Sequence, residues 1–138
     1  MTEVAGKGGI TRADIDRLLP RFYAAIRQDQ RLGPIFHRHV GERDADWAQH
    51  LVKIGDFWAN VMLKERAYQG NPMQVHLGIA DIQPTDFDIW LSLFDQTAQD
   101  TLCEEKAAVF STLAHRIGRS LAMGIAQSRS AGPPSQAT

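Results

Sequence analysis

A single cysteine, Cys103, is all the thiol in this 138-residue chain. That excludes an internal disulfide framework and points to a reducing, cytoplasmic setting. Charge of one sign is also missing: 15 basic against 16 acidic residues leave a net charge of −1, with no basic field to hold nucleic acid phosphates. No apolar run approaches the roughly 20 residues that cross a bilayer, because Lys53, Asp56, Asn60 and Lys64 interrupt the most hydrophobic region. The N-terminus lacks the charged start, apolar stretch and small-residue cleavage site of a secretory signal. There is no glycine-rich phosphate loop, no H-E-x-x-H and no G-x-S-x-G, and no internal repeat. Strand and hairpin signals are absent too, so the chain is expected to be all-α, soluble and, at this length, one domain.

Helical periodicity fills the space. Residues 1–10, with Gly6, Gly8 and Gly9, and residues 128–138, which begin Ser-Arg-Ser-Ala-Gly-Pro-Pro-Ser, have the composition of flexible tails; the domain is expected over 11–127. Thr11, with Asp14 three residues on, opens a helix whose apolar positions Ile15, Leu18, Leu19, Phe22, Ala25 and Ile26 share a face. Pro20 within it predicts a kink or a junction of two short helices, and Gly33-Pro34 ends the region. Ile35 to Val40 reads as a short helical corner broken by Gly41. A long helix capped by Asp44 follows, with Leu51, Ile54, Phe57 or Trp58, Val61 and Met62 in its stripe; His50 shares that surface through steps of four, three and four to Ile54, Phe57 and Val61. After a loop, Pro72 starts a short helix carrying His76. Pro84 precedes another helix with Phe87, Trp90, Leu91, Phe94 and Ala98 inward, and Glu104-Glu105 opens the last, with Ala108, Val109, Leu113, Ile117, Leu121 and Ile125 inward.

His76 is the residue packing alone explains least, since a short break between long helices seldom selects histidine. Two imidazoles on separate segments, His50 and His76, can approach a flat cofactor from its two faces. Haem asks for an apolar slot, an axial nitrogen and controlled polarity opposite it. Phe36, Phe57, Trp58, Val61, Met62, Leu77, Phe87, Trp90 and Phe94 can wall the slot, His76 can supply the nitrogen, and Tyr23, His50 and Trp90 carry donors for the other side. The competing reading makes His50, Tyr23 and Trp90 core residues with one satisfied hydrogen bond each. His37-x-His39 lacks further ligands at metal-binding spacing and reads as solvated loop. His115 sits exposed or partly buried on the last helix, and Cys103 reads as a buried or semi-exposed small residue rather than a catalytic nucleophile.

Phe22-Tyr23, Leu32-Gly33-Pro34-Ile35-Phe36, His50 with Lys53-Ile54-Gly55-Asp56-Phe57-Trp58, His76-Leu77, and Phe87-x-x-Trp90-Leu91-x-Leu93-Phe94, in this order, resemble the truncated haemoglobins, specifically their third group. The resemblance spans about residues 11–127. It implies a two-over-two helical sandwich around a b-type haem, with the proximal helix reduced to a short segment. On that likeness His76 is the proximal iron ligand, Tyr23 and Trp90 are distal hydrogen-bond donors, His50 is the distal histidine, and Phe36 packs on the haem from the corner. Arg66 and Tyr68 lie in the loop where propionates would be met. No glycine pair marks the helix junctions, which fits the third group.

The function implied is binding of dioxygen, nitric oxide or carbon monoxide at ferrous iron. Several donors around one ligand slow its release, so redox work on oxygen, peroxide or nitric oxide, including peroxidase-like activity with a separate reductase, suits the site better than oxygen transport. The alternative is a haem-based sensor or adaptor signalling through a partner protein; a plain helical interaction module, with its aromatics and histidines all in the core, is the more distant one.

Overall fold

A computed structural model describes residues 9–63 and 72–131, and every regular α or strand element among them is an α-helix. The order is α1 (Arg12–Gln28), α2 (Leu32–His39), α3 (Asp44–Leu63), α4 (Pro72–Leu77), α5 (Asp86–Thr101) and α6 (Glu104–Ala131). No described helix is long and apolar enough to cross a membrane.

Local chemistry sets the boundaries. Thr11 is extended, and the Asp14 carboxylate accepts its backbone N–H at 2.9 Å and its hydroxyl at 3.3 Å, which satisfies donors that the first turn leaves open. Lys106 from α6 closes on the same carboxylate at 2.9 Å, tying the start of α1 to α6. Packing begins one residue before the expected boundary: Ile10 is fully buried. At the other end α6 continues to Ala131, so residues 128–131, expected as tail, are helical.

Pro20 neither kinks the chain into two helices nor ends it; α1 runs unbroken for 17 residues. Both Pro20 and Asp16, whose carbonyl loses its helical donor, are exposed, so water can take the missing bond. A proline inside a helix costs ~3 kcal/mol, which the buried face of Ile15, Leu18, Leu19, Phe22, Tyr23 and Ile26 is large enough to offset.

The first helix ends at Asp29, not at Gly33-Pro34. The Asp29 carboxylate accepts the N–H groups of Arg31 at 3.0 Å and Leu32 at 2.8 Å, so it terminates α1 and starts α2. Gly33 and Pro34 fall in the first turn of α2, where proline loses no bond. Gly33 is there for closeness: a Cβ would lie 2.7 Å from the Arg27 carbonyl oxygen. Gly41, at φ +128, turns the chain into α3. There the capping carboxylate is Asp46, which accepts the Arg43 N–H at 3.3 Å, and not the expected Asp44.

Two helix pairs make the body. α1 packs on α3, α5 packs on α6, and α1 joins the pairs by packing on α5; the short α4 packs on α6. Gly124 of α6 makes room for Met73 of α4: a Cβ there would come within 2.5 Å of Met73 Sδ. On α6 the residues turned inward include Ala107 and Phe110, whereas Ala108, expected inside, is exposed. Buried residues divide into a main cluster around Phe22, Trp58, Phe94 and Phe110 and a smaller one of Ile82, Phe87, Leu121 and Ile125. α5 contributes to both clusters.

Candidate haem site

On α3 the burial pattern separates two strips. Trp47, Gly55, Trp58, Ala59 and Met62 are fully covered by protein, while His50, Ile54, Phe57 and Val61 are only half-buried. The second strip is largely apolar, faces the main cluster's edge, and has surface left for another apolar body. Trp58, stacked on Phe94 at 5.4 Å and tilted against Phe110 at 5.7 Å, and Met62 at 1% exposure are spent on helix packing. Of the wall residues read from the sequence, Phe36, Phe57 and Trp90 stay half-buried at the rim, and Phe87 is buried in the smaller cluster.

Tyr23 and Trp90 are brought together. Phe22 sets both rings, edge-on to Tyr23 at 4.9 Å and to Trp90 at 5.3 Å. The Trp90 indole N–H, which can only donate, favours the Tyr23 oxygen and offsets part of the effect of burial on its pKa. Burial raises the phenol pKa far above neutrality, so the hydroxyl keeps its proton and remains a donor. His50 stands edge-on to Tyr23, ring centroids 5.2 Å apart. Its Nε2 is buried with no hydrogen-bond partner, and burial, with Lys53 adding like charge, pulls its pKa down to about 4. The ring is neutral at pH 7, and a buried polar atom without a partner normally costs ~1–3 kcal/mol.

His76 lies on the other helix pair's side, half-buried, its ring 6.0 Å from Phe87. Its Nδ1 is 2.6 Å from the Pro72 carbonyl oxygen. A carbonyl only accepts, so Nδ1 carries the hydrogen, and in the neutral ring Nε2 holds the free lone pair. The neighbouring Val75 and Leu77 are 59% and 44% exposed, apolar surface left uncovered beside that nitrogen. α3 packs on α1 and α4 on α6, so the helices carrying His50 and His76 belong to different halves of the molecule.

No family model matches the chain. A curated relative, group 3 truncated hemoglobin ctb of Campylobacter jejuni, is 37% identical over 108 residues, which cover 78% of this chain and 85% of that protein. The chain belongs to the group 3 truncated haemoglobins. The crystal structure of a group III truncated hemoglobin from Campylobacter jejuni superposes with a TM-score of 0.81 at 34% identity, covering 84% of this chain and 91% of that one. The all-α truncated-globin fold expected from the sequence is therefore established.

Membership of this globin family implies a haem cofactor, and the residues of this truncated haemoglobin fit one. The free Nε2 of His76 is a nitrogen of the right basicity and tautomer for iron. The half-buried strip of α3 and the uncovered Val75 and Leu77 supply apolar surface, and the orphaned Nε2 of His50 is a polar group awaiting a partner. Arg66 and Tyr68, considered for the propionates, lie outside the described residues.

The other expected sites resolve simply. His37 and His39 are on α2, not in a loop; His39 binds Asp81 at 2.9 Å, and no group of three or more metal-ligating side chains occurs among the described residues. His115 pairs with Asp95 at 2.7 Å between α6 and α5. Cys103 is exposed. Sequence reasoning missed two features of the site. The Pro72 carbonyl was readable, since it lies four residues before His76, one helical turn. Trp47 was not: its place in the first turn of α3 carries no signal of its contacts with Tyr23, Phe36, His37 and His50.

Proposed function

We propose that this truncated haemoglobin holds a b-type haem through His76 Nε2 and binds a diatomic ligand, dioxygen, nitric oxide or carbon monoxide, beside Tyr23, His50 and Trp90. The single observation that carries the reading is the 2.6 Å contact of His76 Nδ1 with the Pro72 carbonyl. It fixes the ring's orientation and tautomer and raises the basicity of the nitrogen opposite. The haem supplies an iron position at which a small ligand can bind and exchange electrons.

The chain's own residues decide what happens to that ligand. The Tyr23 hydroxyl, held protonated by burial, is the donor, with the Trp90 ring set beside it by Phe22. His50 stays neutral and therefore offers one N–H or one lone pair, not a positive charge. Phe36 and Phe57 at the rim, with Leu77 and Phe87 near His76, cover the haem faces and exclude water. A donor of this kind holds a partly negative ligand by ~1–3 kcal/mol. Retention on that scale suits redox chemistry on oxygen, peroxide or nitric oxide, with electrons from a separate reductase, better than oxygen delivery. A cytoplasmic setting belongs to the same reading and is supported by the exposed free thiol of Cys103.

The test is chemical rescue. His76→Gly should lose the five-coordinate ferrous spectrum, and added imidazole should restore it. A variant whose spectrum equals that of the wild type without imidazole would remove His76 from the iron.

A further inference from the structure

Trp47 is the most connected side chain near the distal group. Its indole ring is edge-on to His50 at 5.6 Å, tilted against Tyr23 at 6.1 Å and stacked with Phe36 at 6.2 Å. It is itself held from two directions. The indole N–H donates to the Gly41 carbonyl at 2.9 Å, and the Arg27 guanidinium lies 4.9 Å from the ring centroid. Arg27 is anchored in turn to the Glu42 carbonyl and the Asp44 carboxylate, each at 3.4 Å.

His50 has no such ties. Its buried Nε2 has no partner, and no hydrogen bond to either ring nitrogen is present among the described residues, so only ring contacts with Tyr23 and Trp47 locate it. Trp47 itself is buried, and two of the residues it touches, His37 and Gly41, also line a surface cavity of ≈ 640 Å³ with Pro34, Arg38 and Glu42. The indole is thus fixed by ring packing together with its N–H and Arg27.

We infer that Trp47 is a positioning residue: anchored to Gly41 and Arg27, it sets the ring of His50 against Tyr23 and so controls ligand entry and retention at the distal side. This rests on the proposed distal role of His50. Loss of the indole N–H removes the tie to Gly41 and lets the ring shift, and His50, which no hydrogen bond holds among the described residues, shifts with it against Tyr23.

The experiment is a double-mutant cycle on the haem-loaded ferrous protein, with Trp47→Phe, His50→Leu and the combination. Carbon monoxide and dioxygen association and release rates and the stretching frequency of bound carbon monoxide are read for each. Trp47→Phe alone should change a ligand rate by about threefold or more and shift or split the carbon monoxide band. In the His50→Leu background the same change should have almost no effect on either. Equal fold-changes in both backgrounds, or an unchanged band in Trp47→Phe, would overturn the inference while leaving the distal role of His50 standing. A silent His50→Leu would instead remove His50 from the distal side, and the inference with it. If Trp47→Phe fails to fold, Arg27→Met, which leaves the indole in place, should give a smaller shift in the same sense that also vanishes with His50→Leu; an undiminished shift there overturns the inference.

Discussion

The Nδ1 of His76 and the carbonyl oxygen of Pro72 are 2.6 Å apart, one turn from each other on a six-residue helix. Proline serves twice in this short element. As the first helical residue it forfeits no hydrogen bond, and its carbonyl, with two lone pairs, can accept from a side chain as well as from the backbone. The helix is thus long enough to hold an imidazole in one orientation.

Tyr23→Phe removes the hydroxyl and keeps the ring that packs on Phe22. The expected outcome is dioxygen release faster by about tenfold, following a donor worth ~1–3 kcal/mol, with haem content unchanged. Stopped-flow release kinetics check it; an unaltered rate would make Tyr23 a packing residue.

His50 has a pH signature of definite sign. Its pKa is about 4 in the folded chain against an ordinary 6.5, so between those values the unfolded state binds more protons. Stability is unpenalised above pH 6.5 and falls as the pH drops through this window, by up to roughly 3 kcal/mol. In denaturant titrations between pH 7 and 4 the wild type should therefore lose stability relative to His50→Leu as the pH falls. A constant difference across the window would show that His50 titrates normally.

Gly33→Ala should destabilise the chain, since its Cβ would press on the Arg27 carbonyl at 2.7 Å and backbone cannot rotate away. A loss of ~1–3 kcal/mol is expected, readable by thermal or denaturant unfolding with the haem spectrum retained. Equal stability would mean that α1 and α2 can separate freely.

The helices were legible because their apolar spacing is regular, and so were His76, Tyr23, His50 and Trp90 as the polar members of otherwise apolar surfaces. What periodicity could not supply was tertiary. Pro20 reads locally as a breaker, but its exposed position and the buried face of α1 let the helix continue. Asp29 as the start of α2 was hidden because the Gly33-Pro34 pair gave a stronger local turn signal. Trp58 and Trp47 lie on one helix at apolar positions, and only the structure separates Trp58, stacked on Phe94, from Trp47, set against Tyr23 and His50.

The tie between α2 and the segment after α4 was likewise invisible in sequence. Arg31 grips the buried Asp86 at 2.8 and 3.0 Å, and His39 and Arg38 close on Asp81, whose pKa their hydrogen bonds pull down to about 2. These contacts span more than 40 residues and leave no periodic trace.

The most direct test of the central claim is the absorption spectrum of the purified, reduced protein with and without carbon monoxide. A haem Soret band that sharpens and shifts on adding the gas is the predicted result, showing a cofactor held by one protein ligand with the opposite position open. A protein produced with ample haem that stays colourless, or a reduced spectrum that carbon monoxide leaves unchanged, would contradict it.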